Sequence, residues 1–249
     1  MNTKIQGKAR IERIKKVWTP EAHLHIPYGD EEITFAYPSF GSDNYQNLGK
    51  EILSKGLKLP GKEYASLLHA AYCSKLKDEP EFENVREMMR TKWLYPFLQD
   101  FWIDKGMYVI DDEYARGRSE TITIKGLEER LRGGKDIKGT NVRISNDKKV
   151  RFAPKESDNY RLGEQTPEQL ARNDMVIAQY LKEGAEQLAE VSASDIFGFN
   201  PYVYGLDITE GQVPELRFSA LGDYGGWLRV FGCGYFGGGG SGRSFGVFK

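Results

Sequence analysis

Residues 32–37 (EITFAY) alternate polar and apolar side chains and stop at Pro38, the period of two expected of a half-buried strand. Residues 11–17 and 23–27 read as shorter strands on either side of Thr19-Pro20, so the pattern predicts a β-rich beginning. The period then lengthens. Asp43 or Asn44 can cap a helix running through Leu48, Ile52 and Leu53 to Gly56, and Tyr64, Leu67, Leu68 and Tyr72 predict a second helix after Pro60-Gly61. A third helical stretch is predicted from Glu81 through Met88 and Trp93 to Trp102, packed rather than solvated because of its aromatics, with a strand over 107–110 after Gly106. Asn146-Asp147 separates Val142-Arg143-Ile144 from Val150-Arg151-Phe152 as a hairpin. Thr166 as cap and Pro167 at the first helical position open a long helix through Leu170, Met175, Ile177, Tyr180, Leu181 and Leu188. Strands over 203–208 and 216–221 lead into the last segment.

That segment, 221–249, breaks both periods. Between Gly222 and Gly246, glycines are interspersed with Tyr224, Trp227, Phe231, Tyr235, Phe236 and Phe245, and Lys, Glu, Gln, Met and Asn are absent. A flexible linker would carry few aromatics, and a buried strand would carry Val and Ile in place of repeated Gly. Short antiparallel strands with Gly at turns and bulges account for the pattern better. They would present aromatic and small polar groups as a binding surface, with the Gly positions leaving room for a ligand.

Composition changes this picture little. Lys plus Arg (35) nearly balance Asp plus Glu (36), so overall charge favours neither nucleic acid nor an anionic membrane. From 115 to 155, twelve Lys or Arg stand against five Asp or Glu, but with one aromatic available to stack on bases the stretch reads as solvated faces, and nucleic acid is not an expected partner. No apolar run is long enough to span a bilayer and the start has no secretory-signal core, so the expected location is cytoplasmic, or on a surface through a partner. His23-Leu24-His25 puts two imidazoles on one face of a strand, an arrangement found at metal sites, but a metal needs a further ligand, with His69 or a carboxylate such as Asp30 as choices. Surface or packed histidines are the plainer account. Cys73 and Cys233 suggest neither a disulfide nor a zinc framework, and Cys233 has no nearby histidine or second cysteine to activate it. The run Gly237-Gly238-Gly239-Gly240-Ser241-Gly242 lacks the helix with Lys-Ser/Thr that a phosphate loop needs. No catalytic residue, metal or cofactor is assigned.

Two stretches carry a resemblance. Gly56-Leu57-Lys58-Leu59-Pro60-Gly61-Lys62-Glu63-Tyr64 resembles the LP-x-x-x-E-W helix start of C-type lectin folds of the formylglycine-generating-enzyme type. Trp227-Leu228-Arg229-Val230 and then Gly242-Arg243-Ser244-Phe245-Gly246-Val247 resemble the closing strands of that fold, which bracket a variable loop. The oxidising cysteine pair of such enzymes is not matched, because Cys233 stands without a partner in the segment, so the activity does not travel with the fold. The chain is more similar to the variable proteins of diversity-generating retroelements, of the archaeal kind, in which adenine-directed mutagenesis diversifies a terminal segment. Mutated Asn codons yield Phe, Ser, Tyr, Cys, Asp, Gly and Val but never Lys, Glu, Gln, Met or Trp, a filter that residues 222–246 obey except at Trp227.

The resemblance implies an α+β, C-type lectin-like single domain over 1–249, with short antiparallel strands, two or more helices, and an insertion at about 77–194. It further implies a non-catalytic binder of an unidentified protein or surface ligand. Asp223, Tyr224, Phe231, Cys233, Tyr235, Phe236 and Ser241 would be the diversified contact positions, and Leu228, Arg229, Val230, Arg243, Phe245 and Gly246 the fixed scaffold. The alternative is a metal- or cysteine-dependent enzyme on the same fold.

Overall fold

The computed structural model describes residues 7–14, 21–119, 121–236 and 242–248. The chain is a mixed α and β protein. Its first strands, β1 (Arg10–Ile14), β2 (Glu21–Tyr28) and β3 (Glu31–Tyr37), form an antiparallel sheet in that order. On β2, Ala22, Leu24 and Ile26 face the core, so the strand period puts His23 and His25 together on the other face. β4 (Phe40–Asp43) leads into α1 (Tyr45–Ser54), whose cap is Asn44, its side chain accepting from the Asn47 N–H at 3.0 Å. Then come α2 (Tyr64–Cys73) and α3 (Pro80–Thr91).

The third helix ends earlier than its aromatics predicted. Where helix was expected to continue to Trp102, the chain forms β5 (Trp93–Leu94) and β6 (Leu98–Ile103). Every residue of β6 is buried. A strand covered on both faces shows no alternation, which is why its apolar run could pass for a helix. β7 (Gly106–Asp111) pairs with it as a hairpin, and after a short 3-10 turn (Gly117–Ser119) come α4 (Ile124–Leu131), β8 (Lys135–Asp136), β9 (Arg143–Ile144) and β10 (Val150–Pro154), the last two being the predicted hairpin.

β11 (Gly163–Glu164) precedes α5 (Pro167–Arg172), which opens on a full capping box between Thr166 and Gln169. The single long helix expected here is broken twice. Asn173 ends α5 and caps α6 (Asp174–Ser192), and α6 itself is interrupted at Leu181, with φ 63° and ψ 172°. Near the break the Ala178 carbonyl accepts from Nε of Arg151, a fully buried side chain on β10. Arg151 Nη2 lies 2.7 Å from Asp111 Oδ1 but misaligned for a hydrogen bond, so that contact is an ion pair, and Lys62 reaches the other carboxylate oxygen at 3.1 Å.

The remaining strands are β12 (Tyr202–Tyr204), shorter than expected, β13 (Glu215–Asp223), β14 (Leu228–Gly234) and β15 (Gly242–Ser244). Among the described residues the second sheet runs β11-β12-β14-β13-β6-β7-β10-β9-β8, with β5, β15 and β4 branching from β13. The pairing is not all antiparallel: β12 lies parallel to β14, and β15 parallel to β5. The main core fills the space between the sheets and α2, α3 and α6. Residues 77–194 supply β6, β7, β10 and α6 to it, and so are woven into the same core as the strands on either side.

β15 closes the structure. The Tyr64 hydroxyl donates to Ser244 Oγ (2.8 Å) and accepts from the Phe245 N–H (2.7 Å), and Ser244 Oγ donates to the Tyr95 carbonyl. Just beyond, Val247 exchanges both backbone hydrogen bonds with Lys58, and Ala36 N–H donates to Gly246 C=O. The two stretches that carried the resemblance are thus in direct contact.

Candidate ligand-binding face

β13 and β14 are joined by a two-residue turn at Gly225-Gly226, both with positive φ (70° and 85°), as a tight hairpin turn requires. Asp223 serves this turn. It is buried, and its carboxylate accepts from the Gly226 N–H at 3.1 Å. Burial raises its pKa, opposed by that hydrogen bond and by Arg90 and Arg229.

Leu228, Val230 and Gly232 point inward from β14, while Arg229 and Phe231 point out. Parallel pairing sets Tyr202 beside Arg229 and Tyr204 beside Phe231. A row of rings results: Phe199 to Trp227 (5.5 Å between centroids), Trp227 to Tyr202 (6.1 Å), Tyr202 to Tyr204 (4.3 Å), Tyr204 to Phe231 (4.5 Å) and Phe231 to Trp93 (4.8 Å). The Arg229 guanidinium lies 4.8 Å from the Tyr224 ring and 5.5 Å from that of Tyr204, and its Nε is buried with no hydrogen-bond partner among the described residues. Tyr224 is 70 % exposed and Phe199 57 %.

Between Phe231 and Gly234 the register with β13 slips by one residue, a bulge in β14. Beyond it Tyr235 is half exposed, its ring flanked by Arg118 (4.8 Å) and Arg217 (5.1 Å). Exposed contacts of this kind contribute about 0.5–1 kcal/mol each, enough to hold a ring ready without burying it. Cys233 is half-buried. Burial, with Asp100 adding to it and Arg217 opposing, pushes its thiol up to about 11, so it stays protonated near neutral pH.

Four glycines of the segment make room for the protein's own rings. A Cβ on Gly222 would lie 2.7 Å from Trp93, on Gly232 2.9 Å from Trp102, on Gly234 2.5 Å from Phe218 and on Gly242 2.0 Å from Tyr95.

No family model, curated protein or solved structure matches the chain. The site therefore rests on its own geometry.

Of the residues expected to contact a ligand, Tyr224 lies against Arg229, Phe231 joins the ring row through Tyr204 and Trp93, Cys233 follows on the same strand and Tyr235 comes just past its end. Phe236 turns inward, edge-on to Tyr45 at 5.1 Å and against Phe218. Ser241 lies outside the described residues, as do Gly237 to Gly240. Sequence reading missed Phe199, Tyr202, Tyr204 and Trp93. The alternation Tyr202-Val203-Tyr204 was a visible signal for two of them, while Trp93 was read as helix.

Elsewhere in 115–155, Arg151 is in the interior, and Arg130, Lys149 and Lys155 pair with Asp147, Glu113 and Asp207. A cleft of about 430 Å³ beside Tyr72 and Cys73 and another of about 510 Å³ between Tyr108, Ile124 and Phe152 are lined by other residues than this face. No helix among the described residues is long and apolar enough to cross a membrane.

Proposed function

We propose that the chain is a non-catalytic ligand-binding protein on a C-type lectin-like framework, and that a retroelement diversifies its 221–249 segment. The carrying observation is the ring row beside β14, with Arg229 set among Tyr204, Tyr224 and Trp227 and its buried Nε unpartnered among the described residues. An apolar row with a guanidinium at its centre suits a protein surface that offers an aromatic or aliphatic anchor next to a carboxylate. Two further features support the reading. Contact between Tyr64 on α2 and Ser244-Phe245 ties the helix start to the closing strand, and the backbone bonds of Gly246 and Val247 join the end of the segment to the first sheet and to Lys58. Alternation along β14 also separates residues free to vary from residues the core fixes.

Sequencing the gene's 3′ end and flanks across a population tests this. Expected are a neighbouring reverse-transcriptase gene, an imperfect repeat differing at adenines, and substitutions concentrated at Tyr224, Phe231, Cys233 and Tyr235 with Leu228, Val230, Gly232 and Gly242 unchanged. An invariant 3′ end without a repeat would overturn the diversification.

A further inference from the structure

The first sheet holds a second constellation, independent of the binding face. β1 and β2 pair so that Glu12 lies opposite His23 and Arg10 opposite His25, while β3 sets Thr34 opposite His25. The ligating atoms of Glu12, His23 and His25 all fall within 4.8 Å of one another, and His25 Nε2 is 3.2 Å from Glu12 Oε2. His25 is only 7 % exposed. Its other nitrogen, Nδ1, lies 2.9 Å from Glu32 Oε1, 3.0 Å from Thr34 Oγ1 and 2.9 Å from Arg10 Nη2, and Arg10 donates in turn to both Glu32 oxygens.

We propose that Glu12, His23 and His25 bind a divalent cation of the zinc class, with a fourth coordination position open to water. Two imidazoles and a carboxylate are a donor set that zinc takes, and three protein ligands leave one tetrahedral position free. Glu32 is what orients the site. With the Nδ1 proton donated to Glu32, the Nε2 lone pair of His25 is directed at the space shared with Glu12 and His23, the carboxylate-histidine-metal relation of many zinc centres. In that tautomer Arg10 Nη2, a donor 2.9 Å from Nδ1, swings off the imidazole and Arg10 holds Glu32 through Nε. Tetrahedral bonding at about 2.0–2.2 Å places donors about 3.4 Å apart. His25 and Glu12 already meet that spacing, and His23, a half-buried side chain whose ligating atom lies within 4.8 Å of theirs, is drawn in by a side-chain rotation that leaves the strands in place. The Phe248 ring, 4.3 Å from that of His23, walls one side.

The full chain, stripped with a chelator, is titrated with Zn²⁺ by calorimetry and in competition with a chromogenic chelator. One equivalent is expected to bind. Glu12→Gln and His23→Gln each raise Kd at least about tenfold, and Glu32→Gln, which removes the orienting acceptor, raises it about 10–100-fold. His69→Gln, at a histidine paired with Glu190 on the far helices, leaves Kd unchanged. Circular dichroism checks that each variant is folded, and Co²⁺ substitution should give the visible absorption of a tetrahedral nitrogen and oxygen site. Absence of saturable binding, or a Kd unmoved in both Glu12→Gln and His23→Gln, overturns the proposal and leaves the cluster as an ion-pair network.

Discussion

Tyr224 and Phe236 are aromatic residues of one segment with opposite duties. Tyr224 stands in solvent over Arg229, whereas Phe236 meets Tyr45 and Phe218 in a packed cluster. Removing the first ring exposes little that was buried, so Tyr224→Ala should change stability by no more than about 0.5 kcal/mol. Removing the second leaves a void between two rings. Full burial makes Phe→Ala cost about 3–5 kcal/mol, and for a half-buried ring about 2 kcal/mol is expected. Urea denaturation of the two variants measures the difference, and equal losses would mean that the segment does not divide into contact and scaffold residues as described. Residue type alone could not assign these duties, because Tyr and Phe both pass the same codon filter.

At the scale of elements, what was local was legible and what was long-range was not. The caps at Asn44 and Thr166, the alternation of β3 and the hairpin of β9 and β10 each depend on neighbours in sequence, and each stands where the pattern put it. β6 gave no period because both its faces are covered, and the pairing of β12 with β14 links strands that no local signal connects. That pairing builds half of the ring row, so the site was read only along β14. The interruption of α6 was hidden for another reason. Leu181 occupies a backbone region that normally takes glycine, and the residue that compensates, Arg151, sits in a stretch whose charges read as solvated. Arg151→Met should therefore cost about 3–5 kcal/mol, because it leaves Asp111 buried with Lys62 alone and removes the donor to Ala178. Adding Asp111→Asn should recover part of that loss, which a double-mutant cycle in urea would read. A cost under about 1 kcal/mol for Arg151→Met would show that the break does not depend on it.

For the whole molecule, Asp100 sets a pH dependence. It is fully buried on β6, where Ser219 Oγ donates to it at 2.7 Å and Gln179 Nε2 approaches at 3.3 Å. Burial raises its pKa well above the ordinary 3.8, outweighing the hydrogen bonds from Ser219 and Gln179 and the pull of Arg151. The folded chain thus holds a proton that the unfolded chain has released, and this group's contribution to stability falls as pH rises from about 4 toward its raised pKa, by up to about 1.4 kcal/mol per pH unit. Asp147, whose pKa is lowered to about 2, acts in the opposite sense but below pH 4, outside that window. Asp100→Asn should flatten the fall, with its advantage over the parent growing in urea titrations as pH rises from about 4 toward the raised pKa; parallel curves for the two proteins would contradict the assignment. Asn can also serve the Gln179 Oε1, which has no partner among the described residues.

The closing strand has a consequence for inheritance. Residues 242–248 come after the exposed positions of the segment in the order of synthesis, yet they complete the core against Tyr64, Lys58 and β3. A copying error that shifts the reading frame anywhere in 221–241 also replaces those residues, and such a chain cannot shut its interior. Substitutions at the outward positions leave them untouched. Under the proposed diversification, folding itself would act as a proofreader, passing changed surfaces and discarding broken ones.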